Sequence, residues 1–226
     1  MRLNVSPFDG VTVTLPSRLP RYVDTDRFVR ENGSWVLEQM KTSGLLDSRV
    51  GVAPLDASLL RSGSRIPYRG EPYTLVVQRL AVAHPFIRRD SELRRIAIYL
   101  PRSENWELEE VLRDWLRERA VETISRVAVQ EARRIGLRYN RLSVRNLKSK
   151  WGSCSSRGDL VFNWRLILFP PAVLRYVIIH ELCHLRHFDH SIRFWRLVAR
   201  HDPDYHDAVE WLKHEGVNAR NLLTCL

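Results

Sequence analysis

The sequence contains little cysteine. Three cysteines, Cys154, Cys183 and Cys225, occur in 226 residues and lie far apart in the chain. An odd number of scattered cysteines argues against the disulfide framework that holds small secreted domains together. We therefore expect free thiols. Because 44% of the residues are hydrophobic, the chain can bury a sizeable core without cross-links.

Long apolar runs are also absent. No stretch approaches the roughly eighteen apolar residues that a membrane-spanning helix needs. The first ten residues, MRLNVSPFDG, lack the basic segment followed by an apolar stretch that is typical of a signal peptide. The sequence therefore predicts a cytoplasmic protein with no membrane partner.

Negative charge is missing from one part of the chain, although the formal net charge of the whole is +10. No carboxylate occurs between Glu131 and Asp159. A basic stretch of this kind can attract a nucleotide, a nucleic acid or an acidic polypeptide, or it can be a solvated surface. Its eight cations are Arg133, Arg134, Arg138, Arg141, Arg145, Lys148, Lys150 and Arg157.

The first hundred residues have a strand-rich pattern. Alternating apolar residues predict strands at 11–16, 68–80 and 94–101, with a turn at Arg69-Gly70. Helical spacing is present within 24–44, and 44–67 is predicted to be a loop-rich connection.

The remainder of the chain is predicted to be mainly helical. Apolar residues at helical spacing predict a long helix from Asn105 to about Ile135, which Gly136 would end. Two strands, 141–154 and 158–169, are predicted next, joined by a Ser-Ser-Arg-Gly turn. Three more helices are predicted at 172–188, 192–200 and 205–214.

These patterns predict an α+β fold. A strand-rich N-terminal part, residues 1–101, would pack on a part made of helices and a β-hairpin, residues 102–226. The two parts could also form one continuous domain.

The segment HELCHLRHFDH, residues 180–190, contains the residues that indicate chemistry. On a helix, His180 and His184 lie one turn apart on one face, about 6 Å from each other, which suits two imidazoles binding one zinc ion. Glu181 lies about 100° around the helix, where it can take a proton from a metal-bound water. The preceding VLRYVII is apolar on all sides, so these polar groups are expected to be buried and to need partners or a metal.

The third ligand has two candidates. His187 is near the face of His180 but lies about 10.5 Å further along the helix axis. His190 follows a predicted break at Phe188-Asp189, and a turn there would bring it back over the ion. Its spacing of six residues from His184 also matches an extended H-E-x-x-H-x-x-G-x-x-H pattern, although His187 occupies the glycine position. We therefore favour His190 and keep His187 as the alternative.

Other residues near the predicted site have less specific interpretations. Cys183 is expected to be a small packing residue. Trp151, Phe162 and Trp164 have the spacing of core residues on strands, whereas Asn163 and Arg165 point the other way and could line or support a cleft. Candidates for a catalytic acid or oxyanion donor, unless they are plain surface residues, are His201, Tyr205, His206 and His214.

The segments KSKWGSC (148–154) and LVFNWRLILFPPAVLRYVIIHELCHLRHFDHSIRFW (160–195) closely resemble the YgjP-like metallopeptidase family, which is related to the SprT-like zinc proteases. The resemblance is specific because two strand motifs and the H-E-x-x-H helix occur together and in order. It is weakest before Val50. Asp189 stands where relatives tend to have asparagine.

The resemblance implies a zincin-like catalytic part at 102–226 and a single Zn²⁺. The residues matching the family's ligands are His180, His184 and His190, with Glu181 as general base. The resemblance also implies a strand beside the cleft, from 145–153 or 160–166, against which an extended polypeptide substrate could pair.

Three functions follow from these observations. The leading hypothesis is a zinc metallopeptidase, in which the metal lowers the pKa of its bound water towards ~7 and Glu181 accepts the proton. One alternative is a nucleoside triphosphate phosphoanhydride hydrolase, which the basic stretch favours although the sequence has no glycine-rich phosphate loop. The other is a nucleic-acid-binding module with structural zinc. Structural zinc sites normally have four protein ligands, often cysteines, which argues against that alternative.

Overall fold

The structure is a computed structural model that describes residues 2–6, 10–14, 31–35, 38, 60–102 and 106–216. The helix predicted within 24–44 is described only at 31–35 and 38, where the backbone is mostly helical. Most of the predicted 44–67 connection and Cys225 lie outside the described residues. Cys154 and Cys183 are free thiols.

Two sheets form from the N-terminal strands. In the first sheet, β1 (Arg2–Ser6) pairs antiparallel with β2 (Gly10–Thr14), which overlaps the strand predicted at 11–16. The second sheet has four strands in the order β3-β4-β6-β5. Its strands are β3 (Arg65–Tyr68), β4 (Glu71–Leu80), β5 (Phe86–Asp90) and β6 (Arg95–Pro101).

The second sheet confirms the two strands that alternation predicted and adds two that it missed. β4 and β6 correspond to the predictions at 68–80 and 94–101. β3 falls in the predicted loop, and β5 was not predicted. Both lie at the edges of the sheet, where a strand needs few buried residues and can contain proline, as β3 does at Pro67. The apolar pattern of an edge strand is correspondingly weak.

The long helix α1 (Leu108–Ile135) forms much of the core. Leu112, Leu116, Ala120, Ile124 and Ala128 recur every four residues, and all are completely buried. Gly136 ends the helix in the left-handed conformation, with φ of 76°, and its N–H donates to the carbonyls of the last turn. The predicted helix and its glycine stop are confirmed.

A three-stranded sheet follows α1 and differs from the prediction. Its strands β7 (Arg141–Arg145), β8 (Gly152–Cys154) and β9 (Asp159–Asn163) are in the order β7-β9-β8. The strand predicted at 141–154 is therefore two strands on opposite sides of β9, joined by the 146–151 loop. The strand predicted at 158–169 is also too long, because Asn163 caps a 3-10 helix, Trp164–Leu168, by accepting a hydrogen bond from the Arg165 N–H.

Three helices complete the described chain: α2 (Pro171–His184), α3 (Ile192–His201) and α4 (Tyr205–His214). α2 ends four residues before the predicted 188. One hydrophobic core contains residues of the four-stranded sheet, α1 and α2 together, and it includes Trp151, Phe162 and Trp164 as predicted. The α+β class is confirmed, and the division at residue 101 stays a prediction.

No helix among the described residues combines the length and the apolar character that crossing a bilayer requires.

The turn between β3 and β4 is joined directly to the segment before α2. Arg69 and Gly70 both have positive φ, 54° and 80°. Their N–H groups donate to the carbonyls of Ile167 and Leu168 at 2.9 Å. A Cβ on Gly70 would lie 2.8 Å from the Cα of Pro170, so only glycine lets this turn approach the start of α2.

Replacement of Gly70 by alanine is expected to lower the free energy of unfolding by about 3 kcal/mol, from left-handed strain plus the clash with Pro170. Gly136→Ala is the matched control, because Gly136 has a similar φ of 76° and nothing within 4 Å of its Cβ position. It should cost about 1 kcal/mol. Denaturant titration measures both values, and equal losses would contradict a constraint from Pro170.

An ion cluster with buried carboxylates and partly exposed arginines joins the three helices α1, α2 and α3. Glu131 of α1 accepts from Arg175 of α2 at 2.7 Å and from Arg134 at 2.6 Å. Arg175 also binds Asp202, just after α3, at 2.8 Å. Both arginines donate to the His201 carbonyl. Burial opposes ionisation of Glu131, but the hydrogen bonds from Arg175 and Arg134 outweigh it and lower the pKa of the carboxyl.

Glu131→Gln should destabilise the protein by about 1 to 2 kcal/mol, because the partly exposed Arg175 would lose a charged partner and solvent screens part of the loss. Since the pKa of Glu131 is lowered, this contribution is present above its ordinary value of 4.5 and is lost as the pH falls through the folded-state pKa. Unfolding titrations across this pH range test the expectation. The control Glu122→Gln removes an exposed partner of Arg119 and should change stability by less than about 0.5 kcal/mol. Similar losses in both variants would be evidence against the cluster.

Candidate metal centre

A cleft of about 460 Å³ lies between α2 and β8. His180, Glu181 and His184 of α2 line one side, and β8 with the end of the 146–151 loop lines the other. Phe188 and His190, from the segment after α2, also line it. The cleft thus contains every residue of the predicted site.

Three histidines converge on one point of this cleft. The Nε2 atom of His180 lies 3.2 Å from the Nε2 atoms of both His184 and His190. The ligand atoms of all three lie within 4.8 Å of one another. A tetrahedral ion with Zn–N distances of ~2.0 to 2.1 Å separates its ligand nitrogens by about 3.3 Å. The three imidazoles therefore fit around one such ion.

His190 reaches this point because α2 ends at His184. The N–H groups of Leu185 and His187 donate to the carbonyls of Leu182 and Cys183, which closes the last turn of the helix. The chain then turns back before Ser191, the residue that precedes α3. His190 is more exposed than His180 and His184, so the common point remains accessible from the solvent side.

Hydrogen bonds orient the two helical histidines. The Nδ1 atom of His184 lies 2.9 Å from the backbone carbonyl oxygen of His187, and the Nδ1 atom of His180 lies 3.3 Å from the Tyr176 hydroxyl. A proton on each Nδ1 can be donated to these oxygens, which leaves the Nε2 lone pairs free for a metal. His187, the alternative ligand, contributes its carbonyl, and its side chain is not in the converging group.

Phe194 of α3 packs against all three histidines. Its ring centroid lies 4.9 Å from that of His180, 4.5 Å from that of His184 and 4.9 Å from that of His190. Trp195 packs against His180 and His190. Sequence reasoning did not assign a role to Phe194 or Tyr176. The position of Tyr176 four residues before His180, one helical turn, was the available signal.

Burial keeps the helical histidines neutral. Desolvation, followed by the neighbouring His184 and His190, lowers the pKa of His180 to about 3. Desolvation also lowers the pKa of His184. Only the neutral imidazole binds a metal, so both rings are in the competent form at neutral pH.

The carboxylate of Glu181 lies directly against Gly152 of β8. A Cβ on Gly152 would lie 2.7 Å from Cγ and 2.8 Å from Oε1 of Glu181. The glycine in the Trp-Gly-Ser-Cys segment therefore lets the strand pass over the carboxylate. Burial raises the pKa of Glu181 to about 8, an effect that the positive charge of Lys150 partly offsets.

β8 lines the cleft and has one backbone edge that no other described strand pairs with. Trp151 accepts from the Asn163 N–H, and the Ser155 N–H donates to Asp159, so these positions face β9. Hydrogen bonding alternates along an antiparallel pair, which directs the N–H and C=O groups of Gly152 and Cys154 away from β9. No other described strand pairs with β8, whereas β9 is paired on both sides.

Asn163 and Arg165 support the cleft without lining it. Both are buried, with 1% and 6% of their surface exposed. The Asn163 amide donates to the carbonyls of Leu147 and Lys150 at 2.8 and 3.3 Å, and the Arg165 guanidinium donates to the Asn146 side chain at 2.5 Å. These bonds hold the 146–151 loop in place.

The remaining candidates lie outside the described lining of the cleft. Tyr205 packs against Tyr176 and Trp195, and His206 packs against Tyr205. Cys183 is completely buried, as expected for a packing residue. Cys154 lines the cleft, but burial raises the pKa of its thiol to about 11, so the thiol is protonated at neutral pH. His201 and His214 are likewise not among the residues that line the cleft.

The sequence matches the family described as YgjP-like, metallopeptidase domain, over residues 1–215. The chain belongs to this family. The resemblance read from the sequence is thereby confirmed, and the YgjP-like assignment supports a metallopeptidase, a hydrolase that needs a divalent metal and acts on polypeptides.

A solved structure with a matching segment is the metallopeptidase zymogen abylysin of Pyrococcus abyssi. It is 23% identical and covers 34% of this YgjP-like chain and 77% of its own, with a TM-score of 0.32. A similarity of this size does not define the fold of the whole chain. No curated protein is significantly similar in sequence.

Proposed function

We propose that this YgjP-like protein is a zinc peptidase, in which His180, His184 and His190 bind Zn²⁺ and Glu181 is the general base. The observation that carries the proposal is the convergence of three Nε2 atoms within a cleft that also contains a buried carboxylate. Three imidazoles with one accessible position are typical of catalytic zinc, whereas structural sites have four protein ligands.

The bound metal would supply Lewis acidity, lowering the pKa of a water in its open position towards ~7 and polarising the peptide carbonyl. Glu181 accepts the proton of the attacking water and returns it to the leaving amine. Burial raises the pKa of Glu181 above its ordinary value of 4.5, which suits a group that must first accept a proton and then release it. Gly152 keeps this carboxylate in position from the opposite side of the cleft.

The substrate is an extended polypeptide that pairs with β8. The outward N–H and C=O groups of Gly152 and Cys154 can form main-chain hydrogen bonds with it, as in other cases of strand addition. We propose antiparallel pairing, since its hydrogen bonds are perpendicular to the strands and somewhat more stable per residue. This arrangement places a peptide bond beside Glu181, because Gly152 contacts that side chain.

Metal analysis of histidine variants tests the ligand set. The variants His180→Ala, His184→Ala and His190→Ala should each lose bound zinc after dialysis, because two imidazoles hold zinc far more weakly than three. His187→Ala is the matched control and should retain one zinc per chain, since the backbone carbonyl that contacts His184 remains. Loss of zinc in His187→Ala with retention in His190→Ala would overturn the assignment.

Hydrolysis of a peptide library, analysed by mass spectrometry, tests the activity. Glu181→Gln should retain zinc and lose about 10²- to 10⁴-fold in cleavage rate, because it cannot accept a proton. Gly152→Ala should retain zinc and lose about 10²-fold, because its Cβ displaces the carboxylate.

Gly33→Ala is the control for Gly152→Ala, because no atom lies within 4 Å of the Cβ position at Gly33. It should cleave at the wild-type rate. Near-normal cleavage by Glu181→Gln would contradict the mechanism. Nucleotide hydrolysis that depends on Glu181, without peptide cleavage, would favour the phosphoanhydride alternative instead.

A further inference from the structure

Lys150 is a cation in the proposed substrate cleft, and its positive charge also acts on the Glu181 carboxyl. Its side chain is exposed and lines the cleft, on the same wall as Gly152. It forms no ion pair with any carboxylate of the described residues. Lys148, two residues earlier, is also exposed but is not part of the cleft lining. Lys150 therefore differs from its neighbour by its position in the cleft.

The backbone of Lys150 is held on both sides. Its carbonyl accepts from the buried Asn163 amide at 3.3 Å. The next residue, Trp151, is 5% exposed and packs edge-on against Phe169, with ring centroids 4.6 Å apart. Because the buried Trp151 and Asn163 fix the backbone here, the Lys150 side chain starts from a defined position beside the cleft. The backbone of a lysine on an unsupported surface loop is not fixed in this way.

The order of contacts along α2 locates Lys150 relative to the scissile bond. Trp151 packs against Phe169, just before α2, and Gly152 lies against Glu181. The Cβ position of Gly158 is 3.5 Å from Leu185, just after α2. The hairpin of β8 and β9 therefore begins near the start of α2 and reaches its turn near the end of α2.

A peptide antiparallel to β8 passes Cys154 first, then Gly152 and Glu181, and then Lys150. Lys150 thus faces the part of the peptide that follows the bond beside Glu181.

We infer that Lys150 binds a carboxylate of the substrate, one or two positions on the C-terminal side of the cleaved bond. The inference rests on the proposed peptidase function. It specifies in addition that the preferred substrate carries a negative charge after the cleaved bond. The ligand chemistry is a carboxylate, supplied either by an Asp or Glu side chain or by the substrate's own C-terminus. The proposal makes Asn163 a positioning residue, which acts through Lys150 and has no contact with the peptide.

The test compares cleavage of peptides that differ in charge after the cut. Sites found in the library are resynthesised with Asp, Asn or Lys at each of the two positions after the cleaved bond, and with amidated ends. Wild type should cleave the Asp peptides about fivefold faster than the Lys peptides, by kcat/KM, since an exposed ion pair has this size of effect. A neutral peptide that ends one or two residues after the cleaved bond is tested with a free and with an amidated C-terminus. Faster cleavage of the free form shows that a terminal carboxylate can replace the Asp side chain.

Charge reversal identifies the residue responsible. Lys150→Glu should invert the preference so that Lys peptides are cleaved faster, and the wild-type preference should shrink in 1 M salt, where the Debye length is about 3 Å. The control Lys148→Glu makes the same change in net charge and should keep the wild-type preference. Asn163→Ala should weaken the preference for Asp over Lys peptides, whatever its effect on kcat, because the loop that carries Lys150 loses the amide donor to its carbonyl. An unchanged preference in Lys150→Glu, or inversion by Lys148→Glu as well, would overturn the inference.

Binding separates this inference from the proposed function. If zinc-loaded wild type cleaves no library peptide, the peptidase proposal fails. Lys150 can still be tested by fluorescence anisotropy of labelled acidic and basic peptides. The three proteins compared are Glu181→Gln and the same variant with Lys150→Glu or Lys148→Glu added. Tighter binding of acidic peptides that is lost with Lys150→Glu, but kept with Lys148→Glu, supports the carboxylate site. Equal binding by all three proteins rejects it.

Discussion

The burial of α2 is the constraint on which the rest of the molecule depends. This helix lies in the core, with Ile178, Ile179 and Leu182 completely buried, yet its last turns carry two histidines and a glutamate. Polar groups at such depth are costly unless each has a partner. Tyr176 and the His187 carbonyl supply partners for the Nδ1 atoms of the two helical histidines, whereas Glu181 lies buried against β8.

Residues remote from the metal centre give the cleft its shape. The Arg69-Gly70 turn binds the segment just before α2, and the Glu131 cluster ties α2 to α1 and α3. On the other wall, Asn163 and Arg165 hold the loop that leads into β8. The two walls are therefore positioned by separate buried polar groups. This arrangement accounts for polar residues in segments that otherwise read as core.

The elements that were predicted well are those with strong local patterns. The α1 helix carries a buried residue at every fourth position over most of its length, and Gly136 ends it by a local conformational preference. The errors occurred where pairing decides the structure. The 141–154 segment has the composition of one strand, but β7 and β8 pair with opposite sides of β9, so the chain between them must form a loop. The edge strand β5 was missed because only one of its five residues, Ile87, is even partly buried, and β3 because it has only four residues and contains Pro67.

The sequence by itself determined the helical pair His180 and His184, the candidate base Glu181 and the preference for His190 over His187. Helical spacing is a local property, and it placed those side chains before any fold was known. Only the tertiary structure decided how α2 ends so that His190 returns to the same point, why Gly152 must be glycine and which strand beside the cleft has an unpaired edge. Each of these depends on segments distant in sequence meeting at van der Waals distance, which no periodicity within a single segment encodes.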